Sequence, residues 1–291
     1  MATVYLIDAS PYIFRAYYSL PPTIKTPAGM QVNAVYGYAD FLIQILKENP
    51  THIAVAFDGG LTTSFRNEIY PAYKAQRALP PPELEAQLEA CVKVTEAMGM
   101  SVFIDDQFEA DDIIGTIIGQ FLQDGHQAVV VSSDKDLAQL VNDRVVFWNF
   151  AKREKYDVEA VIEKFGVRPE QIADLLALMG DSVDNIPGVE GIGPKTAQAL
   201  LSRYGTLNAI YENLGGIATL DIRGASAIQR KLSEHRDMAF LSRKLTIISM
   251  QAPVQVDIDA FRYGGASREM IDPLFQDLGF SDIQNRIPQW L

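Results

Sequence analysis

Cysteine and histidine are scarce in this chain, and their scarcity excludes several kinds of site. Cys91 is the only cysteine among 291 residues, so no disulfide framework exists, and we expect a reducing cytoplasmic compartment. The three histidines, His52, His126 and His235, are far apart and lie outside every motif described below. A zinc site or a nucleophile activated by histidine is therefore not expected.

Long apolar runs are also missing. No segment approaches the length that a membrane-spanning helix needs, and the apolar run Val4–Ile7 is too short for a signal peptide. We therefore expect a soluble, cytoplasmic protein with no membrane partner, and we also expect a monomer.

The net charge of −12 is a weak argument against a nucleic-acid partner, because the charge is unevenly distributed. Residues 223–244 hold six basic side chains and only two acidic ones. Arg66, Lys74 and Arg77 form a second basic group. Local basic surface for phosphate binding is therefore compatible with the overall acidity.

Apolar runs typical of buried strands alternate with helical patterns in the first half of the chain. This alternation predicts an α/β fold with a mostly parallel central sheet flanked by helices. From about residue 157 short helices replace the strands, with one possible further strand at residues 245–249. We therefore expect an α/β domain at 1–156 and a smaller helical region at 157–291. The strand-like runs lie at residues 3–8, 52–58, 102–105, 128–133 and 144–148.

Several of these apolar runs lead directly into carboxylates. Any single aspartate after a strand is as well explained as a turn residue or a helix cap, but the repetition favours a shared site. The carboxyl ends of parallel strands bind ligands, and crowded negative charge there calls for cations. Oxygen ligands suit Mg²⁺, with Mn²⁺ as a substitute, and two or more such ions indicate phosphoryl chemistry. The predicted metal ligands are Asp8, Asp58, Glu109, Asp111, Asp112, Asp134, Asp136, Asp181 and Asp184.

A glycine-rich turn at 188–196 precedes a predicted helix. It is not a Walker motif, because Pro194 stands between Gly193 and Lys195. A hairpin between two helices fits better, with Gly191 and Gly193 allowing close approach of a phosphate and Lys195 and Thr196 opening the next helix. A plain packing corner between helices remains the alternative.

Aromatic and basic side chains are interleaved between Phe65 and Arg77. Arg66, Tyr70 and Lys74 are spaced to share a helix face, although Pro71 interrupts it. Such interleaving suits stacking on bases and pairing with phosphates, and a solvated surface segment is the other interpretation.

In combination these motifs resemble the bacterial 5′–3′ exonuclease and flap endonuclease family, which includes the N-terminal 5′ nuclease domain of DNA polymerase I. The resemblance is continuous from Tyr5 to about Tyr204. Its most specific parts are Leu6–Asp8, Phe14–Ala16, Glu109–Asp112, Asp134–Asp136 and Gly180–Ala197. At 291 residues the chain has no room for a polymerase domain, and the sequence leaves open whether it is free-standing or part of a longer protein.

The resemblance implies roles for individual residues. A helical arch near 61–90, which we call the arch, would place Lys74 and Arg77 at the scissile phosphate with Arg66 nearby. Tyr70 or Tyr73 would stack on the terminal base, and Arg15 would bind substrate. The hairpin at 188–196 would bind duplex DNA and hold a potassium ion through the carbonyls of Val189 and Ile192.

The function so implied is a metal-dependent 5′ nuclease acting on DNA 5′ ends, flaps and single-strand/duplex junctions, including those with RNA primers, in replication and repair. Two alternatives remain open from the residues. One is a metal-dependent ribonuclease on a related α/β core, and the other is a non-catalytic DNA-binding module.

Overall fold

A six-stranded sheet forms the centre of the protein, whose computed structural model describes residues 1–59 and 63–291. Five strands are parallel, and β6 pairs antiparallel with β5. The order across the sheet is β3-β2-β1-β4-β5-β6. This confirms the predicted α/β class, and only the three-residue β6 lacked a signal in the sequence. The strands are β1 (Thr3–Asp8), β2 (His52–Asp58), β3 (Ser101–Asp105), β4 (Gln127–Val131), β5 (Val145–Asn149) and β6 (Glu154–Tyr156).

Helices cover both faces of the sheet, as near-continuous apolar strands require. α5 packs on one face through Ile113, Ile117 and Phe121, whereas α1, α2 and α4 pack on the other. Within the described ranges, no helix is both long and apolar enough to cross a membrane. The helices of this half are α1 (Ser10–Ser19), α2 (Asn33–Leu46), α3 (Phe65–Ile69), α4 (Pro82–Ala97) and α5 (Ala110–Phe121).

A helical region follows β6, as predicted. α7 and α8 enclose the glycine-rich hairpin, and α11 packs against α7. The final helix, α12, returns to α4, where Ile271 and Phe275 are fully buried. The helices are α6 (Val158–Phe165), α7 (Ile172–Met179), α8 (Pro194–Tyr204), α9 (Leu207–Glu212), α10 (Ala225–Glu234), α11 (Arg236–Thr246) and α12 (Arg268–Leu278).

The possible strand at residues 245–249 was a wrong prediction. α11 continues to Thr246, whose hydroxyl donates to the carbonyl of Ala173 at 3.0 Å, and an extended segment without strand pairing follows. The run Leu245–Ile248 suggested a strand because branched apolar residues favour strands. Leu245 is instead buried with Tyr73 and Ile186, and Ile248 is buried against α5.

Candidate active site

The floor of the site lies where β1 and β4 are neighbours, which is the point at which the strand order reverses. Ligands bind at such a switch point in open α/β sheets. Asp8 ends β1 there, and its Oδ2 accepts a hydrogen bond from the Ser132 hydroxyl at 2.6 Å. Burial, together with the charges of Asp58 and Asp134, raises the pKa of Asp8 well above its usual value. The Asp8 carboxylate therefore lies in a region that already carries excess negative charge.

Asp58, at the end of β2, connects the first residues of α1 and α5 to this floor. Its Oδ2 accepts from the hydroxyl of Ser10, the first residue of α1, at 2.6 Å. Its Oδ1 accepts from the backbone N–H of Ala110, the first residue of α5, at 2.9 Å. The carboxylate end of β2 and the acidic start of α5 are thus fixed relative to each other.

Three acidic residues open α5, where the helix dipole stabilises negative charge. Glu109 precedes the helix, and Asp112 Oδ2 accepts its backbone N–H at 3.2 Å. Burial and the charge of Asp112 raise the pKa of Asp111, against the opposing effect of Arg66.

Arg66 lies beneath these carboxylates and is 1% exposed. Its Nη1 and Nη2 donate to Asp112 Oδ2 and Oδ1 at 2.7 and 2.8 Å, and Nη1 also reaches Glu109 at 3.3 Å. Its Nε and Nη2 donate to the carbonyls of Leu245 and Ile247 at 2.9 and 3.1 Å. A guanidinium has five N–H donors, so in this arrangement Arg66 has none left for the scissile phosphate near which the resemblance places it. Here it joins the arch to α5 and to the end of α11.

Asp134 and Asp136 follow β4 in a 3₁₀ turn at Lys135–Leu140. Asp134 caps this turn by accepting the N–H of Asp136 at 2.9 Å, and its side chain lines the cleft described below. Asp136 Oδ1 is buried without a hydrogen-bond partner, although Lys135 Nζ lies within ion-pair distance at 3.4 Å. Burial and the charge of Asp134 raise the pKa of Asp136 to about 7. The ion-pair partner of this oxygen, Lys135, lies closer to Asp181 than to Asp136.

Asp181 and Asp184 reach the same place from the loop after α7. Asp181 Oδ1 accepts the N–H of Val183 at 2.7 Å, and its Oδ2 pairs with Lys135. Burial alone would raise the pKa of Asp181, but the hydrogen bond and charge of Lys135 outweigh it and lower the pKa. Asp184 pairs with Arg77 and lies 3.9 Å from Lys74 Nζ.

The arch supplies one wall of the site. Its residues 61 and 62 lie outside the described residues, and the remainder is α3, a turn at 71–76 and the start of α4. α3 ends at Ile69 before Pro71, so Arg66 and Lys74 do not share a continuous helix. Lys74 has a left-handed backbone with φ 54°, and its N–H donates to the carbonyl of Asp184 at 3.0 Å.

Side chains of the arch pair with the acidic floor. Lys74 Nζ lies 2.7 Å from Glu109 Oε1, and although burial alone would lower the pKa of Lys74, the charges of Glu109 and Asp184 raise it. Tyr73 is buried, and its single O–H is shared between two acceptors, Glu109 at 3.0 Å and Asp184 at 3.3 Å. Tyr70 is half-buried beside it. In this arrangement the ring of Tyr73 packs inside the protein.

All nine predicted carboxylates thus belong to one connected region. In this conformation, no three acidic, histidine or cysteine side chains of residues 1–59 and 63–291 are grouped so that they could hold a metal ion. Lys74, Arg77 and Lys135 are paired with Glu109, Asp184 and Asp181. The all-oxygen donor set and the unpartnered oxygen of Asp136 nevertheless fit a hard divalent cation. The ligand assignment stays a prediction.

A cleft of about 1170 Å³ opens above the floor. Its lining includes Asp58, Glu109 and Asp134 on the floor and most of residues 71–79 on the arch side. Sequence reasoning assigned no role to several residues of this region, of which only Lys135 lies within a motif named above. They are the two serines that hold Asp8 and Asp58, the lysine between the acidic clusters, and an aromatic and two basic residues of the lining: Ser132, Ser10, Lys135, Tyr18, Lys152 and Lys164.

The glycine-rich hairpin lies beyond Asp184. Gly188 has φ +65°, and a Cβ there would meet the backbone N of Gly180 at 2.2 Å, so the two backbones touch. The Gly188 N–H donates to the Ser242 hydroxyl at 3.0 Å, which fixes the hairpin to α11. Gly193 caps α8, Pro194 is its first residue, and Lys195 is exposed beside a half-buried Thr196.

The predicted potassium ligands lie in the middle of this hairpin. Val189 and Ile192 have buried side chains, and the Val189 carbonyl accepts the Ile192 N–H at 3.0 Å. Gly191 has φ +76°, and a Cβ there would lie 1.8 Å from Lys231 Nζ. Basic charge of α10 therefore lies directly against the hairpin.

Arg15 does not line the main cleft. It is exposed on α1 and borders a second cavity of about 320 Å³, together with Asp40, Gln44 and Arg153.

Comparison with known families accounts for most of the chain. The profile of the 5′–3′ exonuclease N-terminal resolvase-like domain matches residues 3–166. The profile of the 5′–3′ exonuclease C-terminal SAM fold matches residues 167–269.

Similar proteins include two bacterial DNA polymerases I. The one from Bacillus caldotenax is 42% identical over 288 residues, covering 97% of this chain and 32% of the relative. The one from Bacillus subtilis is 39% identical over 287 residues, with the same coverage. The chain thus spans about a third of the length of these relatives.

Solved structures share the fold at lower identity. The T5 D15 protein co-crystallised with metal ions matches with a TM-score of 0.69 at 22% identity, covering 95% of this chain and 98% of the other. The catalytic core of Rad2 in complex with DNA substrate matches with a TM-score of 0.64 at 14% identity, covering 97% and 89%. Both profiles, the acidic floor at the switch point and the helical region behind it lead to one conclusion: the chain belongs to the 5′–3′ exonuclease family.

Proposed function

We propose that this protein is a divalent-metal-dependent nuclease that hydrolyses DNA phosphodiester bonds at 5′ ends and at flap junctions. The observation that carries the proposal is the acidic floor at the β1/β4 switch point, faced by Lys74 and Arg77 of the arch. A site for binding alone would gain nothing from carboxylates that repel phosphate. Mg²⁺ is the expected ion, with Mn²⁺ able to replace it.

The carboxylates of the acidic floor would hold the metal ions. Bound divalent ions would lower the pKa of a water molecule and neutralise charge on the scissile phosphate. Asp8, Asp134 and Asp136 are the strongest candidates for direct ligands, because each faces excess negative charge and Asp136 has an unpartnered oxygen. The remaining proposed ligands are Asp58, Glu109, Asp111, Asp181 and Asp184, and Asp112 would act through its pairing with Arg66.

Lys74 and Arg77 would bind the scissile phosphate and offset the negative charge that grows on it during attack. Both are now paired with Glu109 and Asp184, so substrate and metal binding would exchange these partners. Arg66 is a positioning residue here, since its five donors hold α5 and α11 in place. Tyr70 and Tyr73 would stack on the terminal base only after the arch has moved, because Tyr73 is buried.

The hairpin would hold the duplex downstream of the cut. Gly191 and Gly193 give phosphates access to the backbone, and Lys195, Thr196 and the nearby Lys231 supply donors. The carbonyls of Val189 and Ile192 would bind a potassium ion in this setting. Arg15, on the exposed side of α1, would contact DNA outside the cleft.

The test is the length of the product released from a labelled 5′-flap duplex, with Mg²⁺ and with a chelator. We expect cleavage at or next to the junction in Mg²⁺ and none in the chelator. Asp134→Asn should lose cleavage while keeping its fold, whereas the exposed Asp143→Asn should behave as the wild type. Cleavage that continues in the chelator would refute the metal assignment, and no cleavage of any DNA end would refute the function.

A further inference from the structure

The wall of the cleft opposite the arch also carries positive charge. Lys152, in the turn between β5 and β6, and Lys164, in the last turn of α6, both line the cleft and are exposed. Neither forms an ion pair with any residue that the structure describes. Lys74, Arg77 and Lys135, in contrast, are paired with carboxylates of the floor. The opposite wall therefore holds cations that are available to an incoming phosphate.

Local structure fixes the backbone of both lysines. The β5–β6 turn is closed by Lys152 N–H donating to the Asn149 carbonyl at 3.2 Å and to its side-chain Oδ1 at 3.1 Å. Arg153 completes the turn with φ 58°. α6 ends at Phe165 and is capped by Gly166, which has φ 71° and packs against Gln198 of α8. The backbone at both lysines is thus held in place by local hydrogen bonds and packing.

An exposed aromatic side chain faces the same space. Tyr18 of α1 lines the cleft and is 70% exposed, a large fraction for a tyrosine within a cleft. Phe14 and Phe165 add apolar surface to the lining. Exposed rings beside lysines are the combination with which proteins bind single-stranded nucleic acid, because unpaired bases stack on rings while cations follow the backbone. A duplex keeps its base faces covered and gains nothing from Tyr18.

We propose that Tyr18, Lys152 and Lys164 bind the unpaired 5′ strand of the substrate. This inference rests on the proposed function, since it names the part of the substrate that the wall opposite the arch would hold. The strand would pass between the arch and this wall, with its phosphates at the two lysines and a base against Tyr18. The acidic floor repels the backbone, so a basic wall on each side keeps the strand in place.

The experiment compares DNA with a 15-nucleotide 5′ flap and DNA with a 1-nucleotide flap. Affinities are measured by fluorescence anisotropy in EDTA at several salt concentrations, so binding is separated from turnover. The double variant Lys152→Ala/Lys164→Ala should bind the long flap about tenfold more weakly, with the slope of log affinity against log salt reduced by about 1.4, as for two lost single-strand phosphate contacts. Its affinity for the short flap should match the wild type.

Matched variants complete the test. Lys155→Ala is the control, because Lys155 lies in the same hairpin but covers the ring of Trp148 at 4.4 Å instead of lining the cleft. Tyr18→Ala should weaken binding of the long flap, and Tyr18→Phe should restore it. Equal weakening on both substrates, or none on either, would overturn the inference. If the wild type binds flaps but does not cleave them in Mg²⁺, the proposed function fails, and the flap-length comparison still decides this inference.

Discussion

Arg66 and Asp112 form a two-armed ion pair under the acidic floor, with side chains that are 1% and 0% exposed. Their N–O distances of 2.7 and 2.8 Å are those of charge-assisted hydrogen bonds. The pair connects the arch, the start of α5 and the end of α11, so it holds together segments that carry the proposed catalytic groups.

Removing one partner of this pair should destabilise the protein strongly. Asp112→Ala leaves a buried guanidinium without its main acceptor, and we expect a loss of about 3–5 kcal/mol in the free energy of unfolding. Urea denaturation measures the loss. Arg230→Ala is the control, since its ion pair is exposed and its N–O distance is 3.8 Å. A change below 1 kcal/mol for Asp112→Ala would contradict the role assigned to the pair.

Asp136 should make the metal-free protein less stable as the pH rises. Its folded-state pKa is about 7 against an ordinary 3.8, so the folded state keeps a proton that the unfolded state has lost. Stability should therefore fall between about pH 4 and pH 7 and stay low above that range. Three pKa units correspond to about 4 kcal/mol, an upper bound for this coupled group. Asp136→Asn, measured in EDTA, should gain stability at pH 8 and little at pH 4, and equal effects at both pH values would contradict this.

Divalent metal should stabilise the protein in the absence of DNA. An ion that binds only the folded state adds about 2.7 kcal/mol at a hundredfold excess over its Kd. Thermal unfolding should therefore move to higher temperature in Mg²⁺ and return with a chelator. Asp8→Asn should lose most of this shift, whereas Asp277→Asn, an exposed change on α12, should keep it. An unchanged shift in Asp8→Asn would place the metal elsewhere.

Lys74 should act on the chemical step. We expect Lys74→Ala to slow single-turnover cleavage by about 10²-fold at saturating enzyme, because its charge offsets the phosphate in the transition state. Lys93→Ala, which breaks an exposed pair with Glu89 on α4, is the control. A normal rate with weaker binding would instead assign Lys74 to ground-state binding alone.

The close contact between Gly188 and Gly180 gives a test of the hairpin. Gly188→Ala would force a Cβ to within 2.2 Å of the Gly180 N, at a φ of +65° that alanine disfavours. It should displace the hairpin and weaken binding of duplex DNA by at least tenfold. At Gly193, φ is −95° and no atom lies within 4 Å of the position that a Cβ would take. Gly193→Ala should therefore change the stability of the protein little. Normal duplex binding by Gly188→Ala would contradict the proposed role of the hairpin in binding DNA.

Features carried by short stretches of sequence were predictable. Apolar runs that end on Asp8 and Asp58 encode both a strand and its ligand end, so the sheet and the region of the acidic floor follow from local pattern. The three-residue β6 is too short to leave a pattern, and the branched run at 245–249 imitates a strand.

Features that depend on distant segments were not predictable. The burial of Arg66 depends on partners at residues 109, 112, 245 and 247, which meet only in the folded chain. Lys152 and Lys164 line the same cleft because β6 pairs with β5 and α6 packs against β6. Nothing in the spacing of these residues distinguishes them from ordinary surface lysines.

The central place of β1 has a mechanical consequence. β1 is hydrogen-bonded to β2 on one side and to β4 on the other, so Asp8 cannot shift without breaking two strand pairings. The acidic floor of the cleft is thus held in place by the strand pairings of β1. Adjustment to substrates of different form is therefore expected in the arch, where hydrogen exchange should be faster than in β1.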